Sequence, residues 1–483
     1  MYLGLDLGTS GVKALLVDES QTVVASATAA LQVARPHPGW SEQEPDWWIA
    51  ATREALGRLK SDHAAALAAV RGVGLSGQMH GATALGADDR PLRPAILWND
   101  TRSHRQAAVL DADPRFRKIS GNIVFPGFTA PKLAWMRDNE PALFERVRKV
   151  LLPKDYLRLW LTGAYCSEMS DAAGTAWLDV ENRRWSDDLL AATGLDAAHM
   201  PALVEGTERS GTLRAELAAE WGMGADVIVA GGAGDNAASA CGMGAVRAGQ
   251  AFVSLGTSGV LFAANERYLP NPESAVHTFC HALPAAWHQM GVILSATDSL
   301  NWLAGITGRQ AGDLAGELGE ALQAPGSVSF LPYLSGERTP HNDAAIRGVF
   351  CGLGHESDRA ALTQAVLEGV AFALRDSLEA LEAAGTHLSR VTAIGGGSRS
   401  VYWLKAIATA LDVPVDLPAE GDFGAAFGAA RLGMIAAEGA DPYLVCTPPP
   451  TVATIEPESR LRGAFDEAYA RFRVLYPAIR GTM

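Results

Sequence analysis

The hexapeptide LGTSGV occurs twice in the chain, at residues 7–12 and again at residues 255–260. Each copy follows a short apolar run and precedes another, which is the pattern of a β-hairpin closed by a glycine-containing turn. The second copy begins about halfway along the 483 residues. We therefore predict a duplicated fold in which each half directs one such turn at a shared cleft.

The two turns are candidate phosphate cradles. Glycine adopts backbone conformations closed to other residues, so that successive N–H groups can converge on one anion, and Thr and Ser hydroxyls add donors. We expect this of the turn glycines, which are Gly8, Gly11, Gly256 and Gly259. An ordinary tight hairpin is the alternative for a single copy, but identical copies in both halves favour the phosphate site.

The residues that precede the two copies differ. Asp6 stands before the first copy and Ser254 before the second. A carboxylate beside only one turn predicts an asymmetric site that holds a metal ion or its waters on the first side.

The composition argues against several classes of protein. The formal charge of −14 comes without any long basic run, so nucleic acid is not an expected partner. The five cysteines are scattered and never form a CxxC pair, which indicates neither disulfides nor zinc and favours a reducing cytoplasm. We expect no signal peptide and no membrane span, because Asp6 interrupts the N-terminal apolar run and no stretch of about 18 apolar residues occurs.

Two polar segments follow predicted strands in the first half and resemble a polyol site. The strand at 71–75 runs into SGQMHG, which contains His80, and the strand at 94–97 runs into WNDTR at residues 98–102. An aromatic face beside amide, carboxylate and guanidinium groups suits sugar recognition. The alternatives are a turn histidine satisfied within the protein and a core tryptophan followed by a capping Asn-Asp pair.

The segment GGAGDNAASA at residues 231–240 follows a strand predicted at 227–230. It matches the dinucleotide fingerprint GxGxxA, but it lies mid-chain, and no acidic residue for the ribose occurs between Asp235 and Glu266. What remains is Asp235 at the opening of a helix. There it either caps the helix or accepts a proton from a bound hydroxyl.

The second half contains a glycine-rich turn that suits a nucleotide. A strand at 391–394, the turn GGGS at 395–398 and a helix at 401–411 let the backbone approach a nucleobase or ribose, although a plain strand-to-helix turn is also possible. We expect residues 424–428 and the helix after them to pack behind this turn. The segment FLPYLSGERTPH at 330–341 is expected to lie outside the core, with Glu337 and Arg338 paired or binding metal or phosphate.

Together these features predict phosphoryl transfer without a Walker A loop or the motifs of protein kinases. The chain resembles the FGGY-type carbohydrate kinases of the actin-like ATPase superfamily over essentially its whole length. The segments that carry the resemblance are DLGTSGVK (6–13), RPHPGWSEQEP (35–45), SGQMHGA (76–82), ILWNDTR (96–102), LPKDYLRLWLTG (152–163), SDAAGT (170–175), GDNAA (234–238), SLGTSGV (254–260) and FLPYLSGERTPHN (330–342).

The resemblance implies an α/β fold of two actin-like (ribonuclease H-like) ATPase domains around a central cleft. Residues 1–245 would bind the sugar and carry the first phosphate turn, and residues 246–483 would bind the nucleotide. Within the family the chain is most similar to members that use ATP and Mg²⁺ to phosphorylate D-xylulose at its 5-hydroxyl. The alternatives are a kinase for ribulose, rhamnulose, gluconate or glycerol, a non-catalytic ATP-driven clamp of the same fold and, on the fingerprint alone, a dehydrogenase.

The resemblance also implies roles for single residues. Asp235 would be the general base, and Asp6 would hold Mg²⁺ through water. Phosphates would be bound by Thr9, Ser10, Lys13, Gly256 and Thr257, and adenosine by Gly396, Gly397 and Ser400. The sugar would be held by Met79, His80, Trp98, Asn99, Asp100 and Asn236. A homodimer is common among such kinases, and the turn GGAG before Asp235 is one residue longer than the GGG typical of the family, which is expected to shift the base slightly.

Overall fold

Each half of the chain contains a mixed β-sheet in the computed structural model, which describes residues 1–419, 421 and 423–482. The first half contains the strands β1 (Tyr2–Leu7), β2 (Gly11–Val17), β3 (Val23–Ala30), β4 (Glu42–Gln43), β5 (Gly72–Gly77), β6 (Thr83–Leu85), β7 (Ala95–Ile96), β8 (Lys149–Leu151), β9 (Cys166–Glu168), β10 (Leu178–Asp179), β11 (Arg184–Trp185), β12 (Ala202–Val204), β13 (Arg209–Thr212), β14 (Ile228–Ala230) and β15 (Ala233–Gly234). Its helices are α1 (Pro45–Ala68), α2 (His104–Asp111), α3 (Pro114–Ser120), α4 (Thr129–Asn139), α5 (Pro141–Phe144), α6 (Pro153–Thr162), α7 (Met169–Ala172), α8 (Asp187–Ala192), α9 (Ala215–Trp221) and α10 (Asp235–Met243).

The second half likewise combines a mixed β-sheet with helices. Its strands are β16 (Ala251–Leu255), β17 (Gly259–Asn265), β18 (His277–Cys280), β19 (Trp287–Ile293), β20 (Ser329–Leu331), β21 (Val349–Cys351), β22 (Val391–Ile394), β23 (Val415–Pro418) and β24 (Thr451–Ile455). Its helices are α11 (Thr297–Thr307), α12 (Ala311–Glu317), α13 (Arg359–Ala383), α14 (Val401–Leu411), α15 (Ala425–Glu438), α16 (Pro442–Val445) and α17 (Arg462–Arg480).

The two main sheets share one topology. In the first sheet the antiparallel strands β3, β2 and β1 are followed by the parallel strands β5 and β14. In the second sheet β19, β17 and β16 are antiparallel, and β22 and β23 continue in parallel. This repetition, built around the two predicted hairpins, confirms the duplicated α/β fold of ribonuclease H-like domains.

The strands beside the hairpin turns are buried on both faces, as their continuous apolar runs indicate. In β2 the residues Ala14, Leu15 and Leu16 are fully buried, and in β16 so are Val253 and Leu255. Helices cover both faces of such a sheet, and the ends of its strands are left open for side chains that bind ligands.

Helix α15 belongs to the second half by sequence but packs on the first sheet. It lies against β1 and β5 on one side and against α10 on the other. A Cβ on Gly74 would lie 1.7 Å from the Ala429 carbonyl oxygen, and one on Gly428 would lie 1.8 Å from the Ala238 carbonyl oxygen. The expectation that this helix packs behind the 395–398 turn was therefore wrong, and a division of the chain at 245/246 stays a prediction.

The segment 330–341 is mostly buried, contrary to the expectation that its charge and proline content keep it outside the core. Phe330, Tyr333 and Glu337 are almost fully buried. The segment packs beneath α13 and the C-terminal helix α17. Glu337 Oε1 accepts there from the N–H groups of Leu294 and Arg338, and the Thr339 hydroxyl donates to the Ala275 carbonyl, contacts that sequence composition does not reveal.

The sequence also predicts no membrane span and no disulfide bonds. Across the described part of the chain, no helix combines the length and the apolar character that a membrane span requires. The five cysteines are free thiols, as predicted.

The contact between α15 and α10 generates a stability prediction. We expect Gly428→Ala to lower the free energy of unfolding by about 3 kcal/mol, because the new methyl group meets the α10 backbone at Ala238 and Gly242, which cannot move aside as a flexible side chain would. The control is Gly57→Ala in α1, where a Cβ meets nothing within 4 Å. This control should raise stability by about 0.5–1 kcal/mol. Urea unfolding of both variants is the measurement, and equal effects would show that the close packing is not needed.

Candidate active site

The two LGTSGV segments form the predicted hairpin turns, between β1 and β2 and between β16 and β17. The expected reason for their glycines was wrong, since none of the four, all of them described, lies in the left-handed region. Gly11 and Gly259 instead give room to neighbouring segments of the protein. A Cβ on Gly11 would lie 2.8 Å from the Ala29 carbonyl oxygen, and one on Gly259 would lie 2.7 Å from the Ile293 side chain.

The first turn is connected to the predicted sugar residues through Thr9. The Thr9 hydroxyl donates to Gln78 Oε1 (3.1 Å) and accepts from Trp98 Nε1 (2.9 Å). The Thr9 carbonyl accepts from Gln43 Nε2 (2.8 Å). Because the hydroxyl proton is already given to Gln78, the exposed Ser10 is the better placed hydroxyl donor for a phosphate in this turn.

The strand register brings Asp6 towards Asp235. Asp6 pairs with Ser76 of β5, and Ser76 pairs with Ala233 of β15. Neighbouring strands lie about 4.8 Å apart, so Asp6 and Ala233 are separated by about 10 Å. Asp235 follows two residues later as the first residue of α10. On its other side Asp6 pairs with Lys13 of β2, which sets opposite charges directly across the hairpin.

The glycine turn before Asp235 contains a β-bulge. Ile228 and Val229 pair with residues 72 and 73, and Ala233 and Gly234 pair with residues 76 and 77. Residues 230–232 therefore face only residues 74–75, and Gly232 bends the chain with a φ of 76°. The bulge takes up one extra residue relative to β5, and the strand returns to register before the carboxylate.

Asp235 has the environment of a proton acceptor. Gly234 occupies the N-cap position, so Asp235 begins the helix rather than capping it. Its Oδ1 accepts from the backbone N–H (2.7 Å) and from Nδ2 (3.0 Å) of Asn236. Burial, and then the charge of Asp6, raise the pKa of Asp235 to about 6, although the hydrogen bonds from Asn236 oppose the shift. A carboxylate with a pKa near the working pH suits general base catalysis.

His80 lies in a fixed orientation as a neutral imidazole. Its Nδ1 donates to the Gly174 carbonyl (2.6 Å), which leaves Nε2 as the acceptor. Burial lowers the pKa of His80 to about 3. The ring stacks on Phe128 at 4.7 Å, and the His80 carbonyl accepts from Lys132 Nζ (2.7 Å) and Thr129 Oγ1 (3.1 Å). The preceding Met79 is buried against Gly234, next to the carboxylate of Asp235.

The WNDTR segment divides into an open part and a closed part. Trp98 is 46% exposed. Asn99 Oδ1 is buried and has no hydrogen-bond partner among the described residues, which suits a ligand hydroxyl. Asp100, in contrast, is buried and accepts from the Ser41 N–H (2.6 Å) and from Arg102 Nε and Nη2 (2.9 and 2.7 Å). The structure therefore places Asp100 in the support of this loop.

The second turn lies beside the glycine-rich turn of the nucleotide pocket. The Gly256 carbonyl accepts from Thr297 N–H (2.9 Å) and Oγ1 (2.7 Å), so that α11 begins at the turn. A Cβ on Gly397 would lie 2.8 Å from Leu255 Cβ. Thr257, the next residue of the second turn, is exposed. A cavity of about 640 Å³ opens here and is lined by Gly396, Gly397 and Ser400 together with parts of α11, α12 and α14.

Comparison with known proteins identifies the family. The N-terminal domain of the FGGY family of carbohydrate kinases matches residues 1–242, and its C-terminal domain matches residues 251–437. The chain belongs to the FGGY family of carbohydrate kinases. This membership, together with the shared sheet topology, confirms the predicted actin-like ATPase fold and the kinase activity.

Curated relatives and solved structures agree with this assignment of the kinase. The chain is 50% identical over 481 residues to a xylulose kinase of Escherichia coli K12, covering 99% of this chain and 98% of the other. It is 51% identical over 438 residues to a xylulose kinase of Klebsiella pneumoniae, covering 90% of each. The crystal structure of a xyloylose kinase from Brucella ovis matches with a TM-score of 0.99 at 69% identity over 100% of both chains. A xylulose kinase structure from Rhodospirillum rubrum matches with a TM-score of 0.92 at 28% identity, covering 100% of this chain and 99% of that one.

Sequence reasoning missed one wall of the nucleotide pocket of the kinase. Asn301 of α11 and the glycines Gly312 and Gly316 of α12 line the cavity. Residues four apart on a helix share a face, so the spacing of these two glycines could have indicated a helix face without side chains, which leaves room for a ligand.

The sequence also left open whether Glu337 and Arg338 pair with each other or bind a metal or phosphate. Glu337 Oε1 accepts from the N–H groups of Leu294 (3.0 Å) and Arg338 (2.7 Å), while the Arg338 guanidinium lies over Phe125 at 4.7 Å. Burial raises the pKa of Glu337 to about 8, despite these hydrogen bonds. The geometry thus gives the two side chains different partners, and Arg338 contacts the first half of the kinase across the junction.

The carboxylates suit magnesium better than a metal held entirely by protein. Within the described residues, His, Cys, Asp and Glu side chains nowhere gather in groups of three that could hold a metal. Mg²⁺ typically takes one or two carboxylates, with water and substrate phosphates completing its shell. Asp6 and Asp235, which are near enough for one charge to affect the other, fit that donor set.

The raised pKa of Asp235 predicts a cost to stability. Because the folded pKa of about 6 lies above the ordinary 3.8, Asp235 favours folding below about pH 4, and this contribution is lost as pH rises through 6. We therefore expect Asp235→Asn to be more stable than wild type by about 1–3 kcal/mol at pH 7.5, with the difference vanishing near pH 4.

The measurement is thermal unfolding of both proteins between pH 4 and 8, without nucleotide or metal. The control is Asp187→Asn, because Asp187 is likewise the first residue of a helix but is exposed. A stability gain of equal size in the control, or one independent of pH, would contradict the assignment.

Proposed function

We propose that the kinase transfers the γ-phosphoryl group of ATP to the 5-hydroxyl of D-xylulose. The observation that carries this proposal is the Asp235 carboxylate, with its raised pKa, at the start of α10 between the His80 segment and the first phosphate turn. The near full-length identity to xylulose kinases supports the choice of sugar.

Asp235 would act as the general base. Its Oδ2 is left for the substrate, since both hydrogen bonds from Asn236 reach Oδ1. As the sugar oxygen attacks phosphorus, the carboxylate takes the hydroxyl proton and the bond to the leaving ADP breaks. Because the transition state is loose, positioning and charge neutralisation supply most of the catalysis.

The sugar would lie between His80, Trp98 and Asn99. The Nε2 acceptor of His80 and Oδ1 of Asn99 can each receive a hydroxyl proton, and the exposed ring of Trp98 offers an apolar face for C–H groups. Met79 and Asn236 would contact the sugar beside the base. We assign Asp100 the role of fixing this loop through Arg102, in place of direct sugar contact.

ATP would extend from the second half towards the first turn. Gly396, Gly397 and Ser400 would hold the adenosine in the 640 Å³ cavity, and Gly256 and Thr257 would hold the phosphates. Ser10, Lys13 and the backbone of Thr9 would receive the γ-phosphate. Asp6 would hold Mg²⁺ directly or through water, and when bound the ion neutralises charge on the phosphate oxygens.

Two further properties follow from the family resemblance and stay predictions. One is a cytoplasmic location and the other is a homodimer. Sedimentation of the purified kinase would decide the second.

The substrate is tested by ADP release from ATP and Mg²⁺ with matched concentrations of D-xylulose, D-ribulose, L-ribulose, glycerol or gluconate, or with no sugar. We expect D-xylulose to stimulate ADP release at least about tenfold over the other polyols, because a site that hydrogen-bonds particular hydroxyls rejects analogues that leave its groups unpaired. Stimulation by another polyol would reassign the sugar, and ADP release indifferent to every sugar would favour the ATP-driven clamp.

The base is tested by Asp235→Ala. We expect kcat to fall by about 10³-fold or more, because no other carboxylate can take the proton from the same position. Sugar binding measured by calorimetry should change only a few-fold. Asp187→Ala is the matched control and should keep wild-type turnover. Wild-type turnover in Asp235→Ala would remove the base from the mechanism.

A further inference from the structure

The motifs LPKDYLRLWLTG and SDAAGT have no role in the mechanism described so far. They form α6 and α7, which place Lys154, Asp155, Arg158, Glu168 and Asp171 in one fully buried cluster. Lys154 Nζ lies 2.7 Å from Asp155, 3.4 Å from Glu168 and 3.2 Å from Asp171. Such a cluster is costly to bury, which suggests a function beyond packing.

Arg158 of this cluster binds the first residues of the β-bulge at 230–232. Arg158 Nη1 donates to the Ala230 carbonyl (2.6 Å), and Nη2 donates to the Gly231 carbonyl (2.5 Å). The bulge takes these two carbonyls out of the ladder with β5. The guanidinium fork matches two neighbouring acceptors, which a lysine ammonium cannot do in the same geometry.

The other end of the cluster holds the end of the bulge. The Gly234 N–H, immediately before Asp235, donates to Ser170 Oγ (3.0 Å). Ser170 Oγ in turn donates to Glu168 Oε2 (2.8 Å), and Glu168 caps α7 through the N–H groups of Ser170 and Asp171. The Ser170 oxygen is thus oriented by a buried carboxylate to accept from the glycine.

We propose that Arg158 and Ser170 are positioning residues that clamp the 230–234 bulge at both ends and so fix the catalytic carboxylate of Asp235 against the sugar hydroxyl. The clamp rests on the proposed function, because it gives Asp235 the role of base. An error of about 1 Å in such a group can cost about 100-fold in rate.

The test compares Ser170→Ala with Ser167→Ala. Ser167 is equally buried and donates to Asp155 Oδ2 (2.6 Å) in the same cluster, but it does not touch the bulge. With D-xylulose we expect Ser170→Ala to lower kcat about 10- to 100-fold, with both KM values within about twofold of wild type. Ser167→Ala should keep kcat within about twofold, although we expect its melting temperature to fall by about as much as that of Ser170→Ala.

Two further variants separate positioning from folding. Ser170→Thr keeps the hydroxyl and should keep kcat near wild type even where the added methyl group lowers the melting temperature. Arg158→Lys, which loses the fork but keeps the charge, should reproduce the loss in kcat. A kcat that follows melting temperature across these variants, and not the contacts to the bulge, would overturn the clamp.

Hydrogen exchange of the peptide 228–236 gives a readout that does not depend on activity. The Gly234 amide should lose protection in Ser170→Ala and keep it in Ser167→Ala. Unchanged protection in Ser170→Ala would overturn the clamp even in an active kinase. Absence of sugar-dependent turnover in the wild type would instead refute the proposed function, so the two failures are distinguishable.

Discussion

Close contact between backbones is the constraint on which the rest of the structure depends. Helix α15 approaches β5 and α10 so closely that Gly74 and Gly428 have no room for a methyl group. Through this contact an element of the second half becomes part of the first sheet's packing, because α15 lies between the sheet and α10, the helix that begins with Asp235. Glycines at these positions therefore allow the two halves to pack backbone against backbone. They bring the two halves of the kinase into contact beside Asp235, the proposed base.

The charges near the base follow from the same geometry. The register that pairs Asp6 with Ser76, and Ser76 with Ala233, brings two carboxylates near each other at the ends of buried strands. Burial and mutual repulsion then raise the pKa of Asp235. The carboxylate is therefore a better proton acceptor near neutral pH, and its ionisation lowers the stability of the folded protein. The buried Arg158 binds the segment that leads to this carboxylate through the carbonyls of Ala230 and Gly231.

Local sequence patterns predicted those parts of the fold that depend on neighbours in the chain. The two hairpins, the α14 helix at 401–411 and the position of Asp235 at a helix start are all of this kind. Patterns failed where long-range packing decides. The burial of residues 330–341, the placement of α15 on the other half and the inward orientation of Asp100 each depend on partners far away in sequence. Two of the turn glycines, Gly11 and Gly259, were predicted for the wrong reason, since close neighbours and not the left-handed backbone region require them.

The sugar site and the first phosphate turn are not independent structures. Trp98, which presents its ring to solvent, donates to the same Thr9 hydroxyl that donates to Gln78 next to Met79. A sugar that displaces Trp98 must therefore disturb a hydrogen bond of the phosphate turn, and a phosphate that reorients Thr9 must disturb Trp98. Because a hydroxyl has one proton to give, a phosphate oxygen that accepts the Thr9 proton must take the place of Gln78. The Thr9 oxygen thus links the proposed sugar residue Trp98 to the proposed phosphate turn.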